Sequence, residues 1–166
     1  MISMMLIITG FSQTSMYEPK EIQHALKKGT RTRDGVPGVN YWQNNVSYKL
    51  YAELDPVSRQ LSGNGTIIYS NNSPDTLKYL VLKLLPNIHK KGNARDYAVG
   101  PDQLNEGMII ESMALNHVDQ DMENHRKFRE YGTNLYIVFD KSEYIAPHST
   151  HEISVSWHYE VIMNGI

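Results

Sequence analysis

The sequence predicts an all-β fold, antiparallel, with one short helix near its start. Three observations predict it. Apolar residues recur every second position in several separate runs. Turn signals stand between those runs. Outside one short segment, no run carries the period of an amphipathic helix.

The 166 residues fit one domain and suffice to bury a core without staples. Hydrophobic residues make up 40% of the chain and charged residues 20%, a globular rather than a disordered composition. The net charge of −2 lacks the basic excess of a nucleic-acid binder, so no nucleic-acid partner is expected. With no cysteine in the chain, disulfides, thiolate zinc sites and cysteine nucleophiles are excluded.

Met1 to Phe11, MISMMLIITGF, is an apolar run too short to span a bilayer, for which ~20 residues are needed. It fits the apolar region of a secretory signal peptide over residues 1–13, without the usual basic start. The expectation is export to the periplasm or the exterior, with no membrane span left after cleavage. Residues 14–44 read as an extended lead-in. Within it, Glu18 to Lys28 forms a short helix, with Pro19 in its first turn and Gly29 ending it.

A β domain is expected over residues 45–166. In NVSYKLYAEL, Val46, Tyr48, Leu50, Ala52 and Leu54 share a face. Asp55-Pro56 opens a turn. In RQLSGNGTIIYSN, Leu61, Gly63, Gly65, Ile67 and Tyr69 share a face, and the two glycines predict a bulge or a close backbone approach. LKYLVLKLL is apolar on both faces and reads as a central strand. Residues 86–106 form a long loop expected to cover something. GMIIESMAL, NLYIVF and residues 152–159 are three further strands, and residues 116–132 read as charged and turn-like.

Four patterns invite a chemical reading. HEISVSWHY begins like the zinc-peptidase motif H-E-x-x-H, but the residue four after His151 is Val155. His158 lies seven residues on, which puts the two histidines on opposite faces of a strand. A solvated strand face is expected, not a metal site. Asp119 to Glu130, DQDMENHRKFRE, copies the acid spacing of a calcium loop. It has Asn124 where glycine belongs, and Arg126 and Lys127 at unsuitable places, so it reads as an exposed hairpin tip. His89, Lys90, Lys91 and Arg95 form a basic cluster in a solvated loop. Asn45, Asn64 and Asn71 begin glycosylation acceptor patterns, which recur by chance. No catalytic, cofactor-binding or metal-ligating residue emerges.

Residues 41–87 resemble the start of the N-terminal β domain of zinc aminopeptidases of the aminopeptidase N type. The resemblance rests on the order of Asp55-Pro56, Leu61-Ser62-Gly63, Asn71-Asn72-Ser73 and an apolar strand running into Pro86-Asn87. The lead-in from Met16 is similar to that of secreted Bacteroidetes-type relatives. The resemblance implies a curved, saddle-like or sandwich-like antiparallel sheet, incomplete at its C-terminal end. It also implies a catalytic domain downstream, holding zinc and acting on peptides. There the metal would polarise the scissile carbonyl and activate a water. The family's G-x-M-E-N and H-E-x-x-H segments do not occur in this chain, so no zinc is expected in it and the chain alone should be inactive. Its partner would be its own catalytic domain, whose substrate cleft it would wall. Tyr48, Tyr69 and Trp157 would either dock there or fill the domain's own core. The alternative is a free-standing secreted β-sandwich module that binds a protein or glycan.

Overall fold

A computed structural model describes residues 17–162; the signal-peptide segment expected over residues 1–13 lies outside them. The described residues divide into two compact units, one ending at Trp42 and the other beginning at Gln43. In the first, helix α1 spans Lys20–Lys28. Pro19 precedes it, and Gly29 ends it in the left-handed conformation at φ 69°, its N–H returning to carbonyls of the last turn. The segment after it folds back, with Asn40 N–H donating to Gly29 O and Arg31 bridging to Pro37.

The described residues of the second unit form eight strands: β1 (Asn45–Asp55), β2 (Gln60–Asn71), β3 (Tyr79–Lys83), β4 (Ile109–Leu115), β5 (Val118–Asp119), β6 (Phe128–Tyr131), β7 (Asn134–Val138) and β8 (Ser149–Glu160). They form a five-stranded sheet in the order β1-β2-β8-β4-β5 and a three-stranded sheet in the order β3-β7-β6. Every strand pairing is antiparallel. The core draws on both sheets, as a sandwich requires. Ile67, Met113, Leu115, Ile153 and Val155 come from the larger sheet. Phe128, Leu135 and Ile137 come from the smaller.

β1 and β2 pair in continuous register from Asn45 opposite Ser70 to Asp55 opposite Gln60. The glycines of β2 mark close approach, not a bulge. A Cβ on Gly63 would lie 2.5 Å from the Trp157 ring, and one on Gly65 2.5 Å from Leu50 Cδ2. The irregularity falls instead on β4, where the register with β8 shifts between Ile110 and Ser112.

Three expectations are corrected. β3 is an edge strand, not a central one: it pairs only with β7, and Tyr79 and Val81 are exposed. Residues 116–132 contain two short strands, β5 and β6. These belong to different sheets, so the charged stretch between them is a crossover and not a hairpin tip. The loop over residues 86–106 holds two short 3-10 turns and seats Asn87 and Asn105 in the interior. Asn105 Nδ2 donates to Glu160 O at 2.8 Å, tying the loop to the end of β8.

Candidate docking face

β8 carries HEISVSWHY with the alternation its sequence dictates. His151, Ile153, Val155 and Trp157 lie on the core side; Glu152, Ser154, Ser156 and His158 lie on the other. The outer side is polar, as expected, and its two carboxylates each lie beside a histidine. His158 Nδ1 lies 2.7 Å from Glu111 Oε1, and Glu152 lies 3.4 Å from His117. His151 departs from the expectation of solvation and is only 4% exposed.

The surroundings of His151 fix its tautomer. Asn116 Oδ1 accepts from Glu152 N–H at 2.8 Å, so the Asn116 amide nitrogen faces the imidazole. That nitrogen donates to His151 Nδ1 at 3.1 Å. The ring proton therefore sits on Nε2, which is buried without a protein partner. The ring packs 5.0 Å from that of Phe139. Burial pushes the His151 pKa below its ordinary value; Glu143 opposes this and Lys127 reinforces it.

A histidine held neutral in the fold titrates first in the unfolded chain. Its contribution to stability is complete above the unfolded value of 6.5 and is lost as pH falls below that toward the lower folded value. Urea midpoints should therefore drop on acidification from pH 7 to 5, and His151→Gln should flatten that slope. An unchanged slope in the variant would place the acid sensitivity elsewhere.

Several of the other singled-out residues are paired within the fold. Lys127, at the position that spoils the calcium-loop pattern, is buried with its Nζ 2.6 Å and 2.7 Å from the Glu143 carboxylate oxygens. Burial works to raise the Glu143 pKa, but the hydrogen bonds from Lys127 and from Asp140 N–H outweigh it, and the net shift is downward. In the basic cluster, Lys90 pairs with Glu130 and Lys91 with Glu106. Arg95 donates to Ile88 O and Lys90 O, and His89 Nδ1 sits 3.2 Å from Gln103 O. Of the glycosylation patterns, Asn45 and Asn64 are exposed while Asn71 is fully buried. No group of three or more His, Asp or Glu side chains is placed to hold a metal ion among the described residues. No helix among them is long and apolar enough to cross a membrane.

The apolar face of the β1–β2 hairpin remains uncovered. Tyr48, Leu50 and Leu54 continue the plane of the core face of β2 and β8, through the pairs Tyr48–Ile67, Leu50–Gly65 and Leu54–Leu61. Yet they are 61%, 58% and 52% exposed. Toward the interior the same face is packed. Tyr69 and Trp157 are partly buried against the core. The Tyr69 hydroxyl accepts from Asn44 Nδ2 at 2.7 Å, and Trp157 stacks on Tyr159 with ring centroids 6.0 Å apart. The aromatics thus divide: Tyr69 and Trp157 serve the domain's own packing and Tyr48 does not. A contiguous exposed apolar stripe of this kind marks a contact surface. The core-facing period was readable in the sequence; the missing cover over β1 had no sequence signal.

No family model matches the sequence, and no curated protein matches it. Among solved structures, the chain is similar to an M1 zinc metallopeptidase from Deinococcus radiodurans, with a TM-score of 0.46 and 14% identity over 78% of this chain and 23% of that one. It is similar at the same TM-score and identity to a two-domain M1 zinc metallopeptidase bound to L-tryptophan, over 79% of this chain and 24% of that one. The chain spans about a quarter of the length of these proteins.

Proposed function

We propose that this chain is the N-terminal, non-catalytic β domain of an exported zinc aminopeptidase-like metallopeptidase. In this reading it packs against a catalytic domain encoded downstream and walls the cleft in which peptides are cleaved. The observation that carries the reading is where the resemblant residues fall in the fold. Asp55-Pro56 forms the turn between β1 and β2. Leu61-Ser62-Gly63 opens β2, Asn71-Asn72-Ser73 closes it, and Pro86-Asn87 follows β3 in a 3-10 turn. The resemblance therefore follows the architecture rather than isolated residues. The uncovered stripe of Tyr48, Leu50 and Leu54 supplies an apolar face of the kind such a neighbour needs. In this reading zinc is held by the catalytic domain.

The test is the reading frame beyond the codon for Ile166. A frame that continues into G-x-M-E-N and then H-E-x-x-H supports the reading; an immediate stop overturns it. The purified chain itself should bind no zinc and release no amino acid from peptides. Stoichiometric zinc together with peptidase activity would overturn the non-catalytic role.

A further inference from the structure

We infer that the free edge of β1 is a self-pairing surface and that the partner it fits is a second copy of this chain. β1 is eleven residues long, pairs only with β2 among the described residues, and lies at the end of their five-stranded sheet. It holds no proline and no bulge, and its backbone register with β2 is unbroken. Its outer edge therefore presents a regular row of amide and carbonyl groups, the template for another strand. Natural edges of this length are usually blunted, and this one has only two charged side chains short of its last residue, Lys49 and Glu53. Both are exposed, and neither takes part in an ion pair among the described residues.

The spacing of those two charges selects one register. Two copies of β1 related by a two-fold axis pair antiparallel, so each residue meets the one equally far on the other side of the axis. With the axis at Tyr51, Lys49 of each copy faces Glu53 of the other. Both charges are satisfied twice and no like charges meet. Tyr51 faces its own copy. On the opposite face Tyr48 meets Leu54, and Leu50 meets Ala52, all apolar pairs. Axes at Lys49 or Glu53 put like charges face to face. An axis at Leu50 leaves Lys49 opposite Tyr51 and Glu53 opposite Ser47. An axis at Ala52 shortens the paired stretch to residues 49–55, whereas the Tyr51 axis pairs residues 47–55.

Pairing here joins two five-stranded sheets into one of ten strands and brings the two uncovered apolar stripes together. The assembly closes as a dimer, because a two-fold contact uses the β1 edge of both copies and leaves neither free. The inference concerns the edge of β1, and its tests read self-association, which does not depend on whether a catalytic domain follows.

Sedimentation equilibrium on the full chain should show a monomer–dimer equilibrium. Lys49→Glu and Glu53→Lys should each raise the dissociation constant at least tenfold, since each sets like charges opposite one another twice. The double variant Lys49→Glu with Glu53→Lys should return it to within about threefold of the parent. A chain that stays monomeric at every concentration overturns the inference. So does a dimer indifferent to both single reversals, or a double variant as weak as the singles.

A second readout does not depend on affinity. The chain has no cysteine, so a single introduced thiol is unique. Tyr51→Cys places two sulfurs across the axis at a cross-strand Cα separation of about 4.5–5.5 Å, within disulfide reach. Lys49→Cys separates them by four residues, about 13 Å at ~3.3 Å per residue. Mild oxidation should cross-link the first variant and leave the second monomeric on a non-reducing gel. Equal cross-linking of both, or of neither, overturns the register.

Discussion

Replacing Asn71 by alanine is expected to destabilise the second unit by about 3 kcal/mol, with a fall in Tm of roughly 10 °C. The side chain is 0% exposed and every polar atom of its amide is used. Nδ2 donates to Asp75 O at 2.8 Å and to Ala146 O at 2.9 Å, with Ile145 O at 3.3 Å. Oδ1 accepts from Ser73 N–H at 3.1 Å and from the Ser73 hydroxyl at 2.6 Å. One residue thus holds the turn after β2 closed and fastens it to the segment before β8. There Ile145 is buried and exchanges backbone hydrogen bonds with Leu77. Alanine leaves the buried Ser73 N–H without its acceptor and takes one of two donors from each of Asp75 O, Ile145 O and Ala146 O, in a site too tight to hydrate freely; a fully unsatisfied group costs roughly 1–3 kcal/mol and the weakened carbonyls add to it. Asn71→Asp should be no milder, because it sets a carboxylate against carbonyl oxygens. The neighbouring Asn72 provides the contrast. It is exposed, and its amide donates only to Gln43 O, so Asn72→Ala should cost less than about 1 kcal/mol. Equal losses for Asn71→Ala and Asn72→Ala in urea titrations would sink the argument.

Asn71 also shows what a sequence can and cannot reveal. Asn-Asn-Ser-Pro-Asp is legible as a turn, because each residue type favours one. Which of the two asparagines points inward is not, since that depends on Ile145 and Ala146, more than seventy residues away. The same limit runs through the fold. Alternation placed Val46, Tyr48, Leu50, Ala52 and Leu54 on one face, and the observed register keeps them there. Alternation cannot say whether a second layer reaches that face, and over β1 it does not. LKYLVLKLL reads as central because both faces are apolar, yet β3 lies at an edge with one apolar face turned outward. β5 and β6 escaped notice because two and four residues are too few to show a period. Lys127 read as a solvated charge. Its burial depends on Glu143, a partner sixteen residues on that no local pattern announces. What was legible is local: the glycine cap on α1, the Asp-Pro turn, and the opposed faces of His151 and His158. The candidate docking face is a property of what is absent above β1, and local patterns carry no record of it.

The Pro86-Asn87 pair, by contrast, makes a strong prediction through a glycine. Gly107→Ala is expected to cost about 3 kcal/mol, against about 1–2 kcal/mol for Gly92→Ala. Both glycines have positive φ, +77° and +80°, so both substitutions carry the left-handed penalty of a side chain. They differ in what a Cβ would meet. At Gly92 nothing lies within 4 Å. At Gly107 the new atom would stand 2.6 Å from Asn87 Oδ1 and 3.1 Å from its Cγ. Asn87 has nowhere to go. It is 0% exposed, its Oδ1 accepts from Met108 N–H at 2.7 Å, and its Nδ2 donates to Glu130 Oε1 at 3.0 Å. Relief of the clash would require breaking those bonds, which join the turn after β3 to the start of β4 and to β6. The two sites should therefore couple. In an Asn87→Ala background only Lys90 Cδ, at 3.0 Å on a flexible stem, still crowds the new Cβ, so Gly107→Ala should cost little more than the left-handed penalty, about 1–2 kcal/mol, and the double variant falls short of the sum of the singles. Additive losses, or equal losses for Gly92→Ala and Gly107→Ala, would mean that Asn87 is free to move and does not anchor the loop.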